Sequence, residues 1–182
     1  MAFLQQLDGF DPSSLDLLQR ILLISDGTLT DTLEAAFLEP IALRKIDLKV
    51  VTSPAPVPDL ALAAGEALME RKVVLQGETS GRNYVYAESL LALDRLPPRF
   101  QNDLVATDVP LGRLWSDYKL ETWKELLAVW RRPIGALAEF FQGNEQTDLL
   151  ARRYRLISGG RPLMLITEHF PTAFEWNSNG GS

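Results

Sequence analysis

With 182 residues, 46% hydrophobic and 23% charged, the chain has ordinary globular composition and enough apolar mass for one sizeable core. A net charge of −6 argues against a phosphate-tracking nucleic-acid surface, and the lack of cysteine excludes disulfide and thiolate chemistry. The start MAFLQQLDGFDP has neither the basic region nor the apolar run of a signal peptide, and no stretch reaches the roughly 18 apolar residues of a spanning helix, so a cytoplasmic protein without a membrane span is expected.

In chain order, PSSLDLLQRILLIS (12–25) has apolar residues at helical spacing behind Ser13 or Ser14 as cap. TLTDTLEAAFL (28–38) repeats the pattern, with Leu33, Ala36 and Phe37 as its stripe. β-Branched residues and partial alternation make 41–53 a first strand, ended by PAPVP. Strands over 68–77 and 82–92 flank the turn-rich Gly77 to Gly81, which predicts an antiparallel hairpin. A polar helix or loop follows Leu96-Pro97-Pro98 as far as about 107, and 109–115 starts a short helix with Pro110 early. The run 121–132 fits a helix by length and charge but also a period of two through Trp123, Leu127 and Val129; a strand is favoured because its surroundings read as one meandering sheet. A helical piece (133–141) and a polar loop precede a second hairpin, 149–158 with 162–171, around Gly159-Gly160-Arg161. The terminal EWNSNGGS has no periodicity and is expected to fray. The sum is an α+β fold: a single domain over 1–176 with a mostly antiparallel sheet, helices on one side contributed early in the chain, and a flexible tail at 177–182.

Two strands each carry one charge among apolar neighbours. Alternation sets Arg71 beside Met69, Val73 and Leu75, and Glu168 beside Met164, Ile166 and Phe170. A charge facing a core costs several kcal/mol in order of magnitude unless compensated. Arg71 and Glu168 therefore either pair with each other or line a ligand cavity. A guanidinium holds a carboxylate through two parallel hydrogen bonds, which points to a small carboxylate-bearing ligand. Glu168 has the chemistry of a general acid or base. Arg152, Arg153 and Arg155 read as a solvated basic strand face or as further anion-binding groups. The one histidine, His169, falls on the face opposite Glu168 and reads as structural; with no carboxylate cluster at ligand spacing, neither a metal centre nor a hydrolase triad is expected.

The succession of DGTLTDTLE (26–34), MERKVVL (69–75), YVYAESL (84–90), VPLGRL (109–114), ARRYRLISGGRPL (151–163) and TEHFP (167–171) resembles the chorismate pyruvate-lyase family, in particular its cyanobacterial and mycobacterial branch. It spans about residues 15 to 171, and its weight lies in the order and spacing of the motifs together. The resemblance implies an antiparallel sheet closed over an internal cavity, and conversion of chorismate to 4-hydroxybenzoate and pyruvate without metal or organic cofactor, with the product feeding quinone synthesis, plastoquinone included. It carries the product-carboxylate arginine onto Arg71 and the catalytic carboxylate onto Glu168, with Arg71 counted in the catalytic pair. Leu111 becomes a pocket wall, with the backbone of Gly112 beside it. An early-helix backbone contact falls at Leu29, or at Thr28 after a one-residue slip. Arg153 and Arg155 match an arginine-rich strand and are candidates for steering substrate. Helical segments 13–38 become the lid. The competing expectation is a non-catalytic module of the same fold that binds a small aromatic carboxylate, as in the effector domains of bacterial transcription regulators. Those carry a basic DNA-binding domain ahead of the fold, whereas about a dozen residues precede the first helix here.

Overall fold

The computed structural model describes residues 11–26, 29–141 and 147–172; the expected tail, Thr28 and most of the polar loop at 142–148 lie outside them. Six strands, β1 (Ile41–Thr52), β2 (Ala67–Gly77), β3 (Asn83–Ala92), β4 (Trp123–Pro133), β5 (Asp148–Ser158) and β6 (Arg161–Pro171), form one sheet in the order β1-β2-β3-β6-β5-β4. Every neighbouring pair is antiparallel. Both expected hairpins are present. The turn between β5 and β6 needs two consecutive residues at positive φ, 54° and 75°, and Gly159 and Gly160 supply them without a Cβ clash.

Four α-helices pack on one face of this sheet: α1 (Leu17–Ile24), α2 (Leu29–Phe37), α3 (Pro98–Ala106) and α4 (Leu111–Asp117). Leu18, Leu22 and Leu33 meet Val73, Val85 and Phe170, while Phe100, Leu104 and Leu114 meet Met69, Leu91 and Ile166. Helices thus come from the middle of the chain as well as from its start. The cap of α1 is Asp16 rather than Ser13 or Ser14. Its side chain accepts from the Gln19 N–H at 2.8 Å, and the Gln19 side chain accepts from the Asp16 N–H at 3.0 Å. This reciprocal pair satisfies two end groups where a lone serine satisfies one. The two serines lie instead in a 3-10 turn, Pro12–Ser14, tied to Asp11.

The other face is covered by 3-10 turns. Leu60 packs with Leu68, Ala92 and Leu165, and Ile134 and Leu137 pack with Val74, Tyr86 and Leu149. The helical piece expected at 133–141 is accordingly a 3-10 turn, Gly135–Glu139. Cover on both sides explains why every residue from Leu163 to Phe170 is buried, each apolar one contributing roughly 1.5–3 kcal/mol.

The 121–132 run is a strand, but its phase changes midway. A bulge between Leu126 and Ala128 turns Lys124, Leu126 and Val129 toward the helix-covered face and leaves Trp123 70% exposed. Among the described residues the edge strands β1 and β4 do not pair with each other, so the sheet is an open trough. Helices α2 and α4 close it, with the segments around Asp26 and Lys119 to Thr122.

Candidate active site

Between trough and helices lies a cavity of about 580 Å³. Its floor is apolar, made by Leu43, Val73, Leu75, Val85, Ala87 and Ile166 from four strands. Alternation places these on one face, and the same periodicity sets Arg71, Ser89, Arg152, Tyr154 and Glu168 among them.

Arg71 is 3% exposed, and its Nε and Nη2 have no hydrogen-bond partner among the described residues. Burial pushes its guanidinium down from the ordinary arginine value to about 10, with Asp108 acting the other way. Unpaired buried donors are costly, and a carboxylate entering the cavity would satisfy both. Ser89, directly opposite on β3, is also buried and lines the same wall. Arg71 does not pair with Glu168. From strand spacing and rise, their Cα atoms are separated by two strands and two residues of advance, about 12 Å.

The partner of Glu168 is Arg152, its direct neighbour across β5 and β6, with Nε donating to Oε2 at 2.5 Å. The Tyr154 hydroxyl donates to Oε1 at 2.9 Å. Both carboxylate oxygens are therefore held. Arg152 also donates through Nη1 to the carbonyls of Leu22, Leu23 (3.1 Å) and Ser25 (3.3 Å). These lie at the C-terminal end of α1, where carbonyls lack helical partners and the helix dipole favours a cation. Burial opposes the charge on Arg152, but Glu168, Tyr154 and Asp26 together outweigh it and hold the guanidinium above its ordinary value. Burial, with Glu168 adding to it, pushes the Tyr154 phenol well above 10.0, so it stays protonated.

Lys124 approaches from β4. Its Nζ lies 4.2 Å from the centre of the Tyr154 ring and donates to the Ser25 carbonyl at 2.5 Å. Burial and the neighbouring Arg152 lower its ammonium from 10.5 to about 8, against the pull of Glu168 and Asp26.

Leu29, Leu111 and Gly112 all line the cavity with Arg71 and Glu168. Arg153 and Arg155 lie elsewhere, on the opposite face of β5. Arg153 is exposed, donates to the Thr167 hydroxyl at 3.2 Å and rests over Trp130, while Arg155 pairs with Glu125 at 2.7 Å and donates to the Asp59 carbonyl at 3.2 Å. The inward arginine of that strand is Arg152. His169 is on the reverse face, near Tyr86 and Trp130. Among the described residues, no three His, Cys, Asp or Glu side chains gather as metal ligands would. Sequence reading missed Tyr154, Ser89 and Lys124, and it grouped Arg152 with Arg153 and Arg155 without singling it out as the buried partner of Glu168.

A buried arginine with unpartnered donors and a fixed carboxylate on the same cavity wall are what the compared proteins put in context. The family described as Rv2949c-like chorismate pyruvate-lyase matches residues 23–178. The chain belongs to that family of lyases. A chorismate pyruvate-lyase of Mycobacterium tuberculosis (strain H37Rv) is 36% identical over 155 residues, covering 83% of this chain and 78% of that protein. One from Mycobacterium leprae is 32% identical over 152 residues, covering 83% and 72%. Solved structures share the fold at lower identity. PhnF from Mycobacterium smegmatis superposes with a TM-score of 0.64 at 12% identity over 81% of this chain, which spans 65% of PhnF. The isolated effector domain of PhnF gives 0.63 at 12% identity, covering 80% of this chain and 88% of that domain. A GntR-family transcriptional regulator from Bacillus cereus gives 0.58 at 12% identity, covering 78% and 99%. At such identity these likenesses speak to fold alone.

Proposed function

We propose that this protein converts chorismate to 4-hydroxybenzoate and pyruvate. The observation that carries the proposal is Arg71, a buried guanidinium with unpartnered N–H groups on the wall of an apolar cavity that also holds Glu168 in a fixed orientation. Arg71 takes the ring carboxylate of chorismate, and the apolar floor packs the ring and keeps water out, which strengthens the ionic contact. Glu168 accepts the hydrogen of ring carbon 4 as a proton. The electrons of that C–H bond form the last ring double bond as the bond from carbon 3 to the ether oxygen breaks, and the oxygen leaves with its electron pair as enolpyruvate. Protonation of enolpyruvate at its methylene carbon gives pyruvate, and aromatisation supplies the driving force. Arg152 and Tyr154 hold Glu168 in place through both oxygens, so orientation is prepared before substrate arrives. Helices α1 and α2 are the lid, and release of the aromatic product limits turnover. Use of that product in quinone synthesis belongs to the same proposal and rests on the family resemblance.

The fold shared with an effector domain favours one rival, a module that binds an aromatic carboxylate and does not transform it. Incubating the purified protein with chorismate in the presence of a chelator, while following 4-hydroxybenzoate by chromatography and pyruvate by a coupled assay, separates the two. Equal amounts of both products, lost in Arg71→Ala, support the lyase. No product, together with a rise in melting temperature on adding 4-hydroxybenzoate, supports the module.

A further inference from the structure

Chorismate carries two carboxylates, and the scheme above employs a partner for only one. The second sits on the enolpyruvyl group and leaves with pyruvate. A carboxylate drawn out of water into an apolar cavity requires its own cation or donors. Four cationic side chains line the cavity: Arg71, Lys119, Lys124 and Arg152. The charge of Arg152 is already paired with Glu168 through Nε, and its Nη1 is held by the carbonyls at the end of α1. Lys119 is exposed at the rim. Lys124 differs from both. It is partly buried, it has no carboxylate within ion-pair distance among the described residues, and its single hydrogen bond, to the Ser25 carbonyl, leaves two of the three ammonium N–H groups available.

We infer that Lys124 receives the enolpyruvyl carboxylate and thereby selects the dianionic substrate over the aromatic product. The inference rests on the lyase reading of this cavity. Its geometric support is the strand order: β2, bearing Arg71, and β4, bearing Lys124, each lie two strands from β6, one on either side. The registers set Arg71 level with Ile166 and Lys124 level with Met164, so a ligand held at both ends crosses β6 on the face from which Glu168 reaches the cavity. The Tyr154 ring bridges the two groups, touching Lys124 with its face and Glu168 with its hydroxyl. After the ether bond breaks, the fragment on Lys124 is pyruvate. Lys124 thus contributes to the affinity for substrate and not to that for 4-hydroxybenzoate. A residue that only capped the end of α1 would affect stability and treat every ligand alike.

The test uses the full chain with Lys124→Gln, which keeps a donor for the Ser25 carbonyl but removes the charge, alongside Lys124→Met and Lys124→Arg. Calorimetric titration compares 4-hydroxybenzoate with a stable dicarboxylate, 3-(1-carboxyvinyloxy)benzoate, and steady-state kinetics on chorismate accompany it. One lost charge-assisted hydrogen bond predicts about a 10- to 100-fold weaker dicarboxylate affinity and a comparable rise in KM for Gln and Met. The 4-hydroxybenzoate affinity stays within about twofold, and Arg retains most of the dicarboxylate preference. Equal weakening of both probes, or of neither, overturns the assignment. If the wild type forms no product from chorismate, the lyase reading falls. The calorimetric comparison then still decides Lys124, because loss of the dicarboxylate preference in Gln keeps the assignment and its retention ends it.

Discussion

Arg71 imposes a cost on the folded chain that its ligand relieves, and the two effects can be measured separately. Its guanidinium falls from the ordinary arginine value to about 10 because burial disfavours the charge, which corresponds to about 3 kcal/mol of destabilisation. For a cation depressed in the folded state, this penalty is complete below the folded value of about 10 and fades as pH rises toward the ordinary arginine value, so it is fully present at neutral pH. Arg71→Met removes the charge at similar length. With about 2–4 °C per kcal/mol for a chain of this size, the upper bound is a gain of roughly 6–12 °C in melting temperature. The wild type should gain about 2.7 kcal/mol from 4-hydroxybenzoate at a hundred times its Kd, and the variant nothing. Scanning calorimetry of both proteins with and without 4-hydroxybenzoate gives all four numbers. A variant that melts lower than wild type and still responds to 4-hydroxybenzoate would refute the reasoning, since Arg71 would then be held by structure and not by ligand.

Glu168→Gln should lower kcat by roughly 10²–10⁴ while leaving calorimetric affinity for 4-hydroxybenzoate nearly unchanged, and a variant turning over at the wild-type rate would remove Glu168 from the chemistry. Arg152→Met strands a buried carboxylate and uncaps α1; chemical denaturation should show a loss of about 3–5 kcal/mol, and an unaffected midpoint would mean the pair contributes little. His169 is 3% exposed, and burial, with Arg132 next in effect, lowers it from 6.5 to about 4. The unfolded chain takes up its proton first as pH falls, so stability drops between about pH 6.5 and 4, by up to about 3 kcal/mol. Denaturation at pH 7 and pH 4 should show that this drop is missing in His169→Phe, and an identical drop in both proteins would assign the acid sensitivity elsewhere.

Much of the sheet was legible because its strands keep strict alternation within each uninterrupted stretch. Arg71 and Glu168 stood out as charges in apolar phase, and both line the cavity. The alternative, that they pair with each other, fails because β3 lies between their strands, and the partner Glu168 takes instead is set by register. Counting back from Ser158 opposite Arg161 across the tight turn sets Ala151 opposite Glu168. A one-residue irregularity between Leu156 and Ile157 shifts the ladder, and Arg152 arrives there instead. Lys124 was hidden in the same way. The phase that Leu127 and Val129 suggested breaks at the bulge, so the apolar Trp123 faces water and the charged Lys124 faces the cavity. The cap of α1 was misplaced because Ser13 and Ser14 are good capping types, while the reciprocal Asp16 and Gln19 pair lies three residues apart just beyond them. Ser89 carries no signal of its own; only the register opposite Arg71 singles it out.

The irregularities in the ladders also bear on how such a cavity diverges between relatives. Each pair of strands with an extra residue, at Ile46, Tyr84, Leu127 or Leu163, has one position that can be deleted without turning any neighbouring side chain over. A deletion between Arg71 and Leu75, or between Lys124 and Leu126, has no such refuge and would exchange inward for outward residues along the rest of the strand. Gaps in alignments of this family should therefore collect at those four positions, and a relative with a gap elsewhere in β2 or β4 should bind a different ligand, because the chain length itself selects which charges face inward.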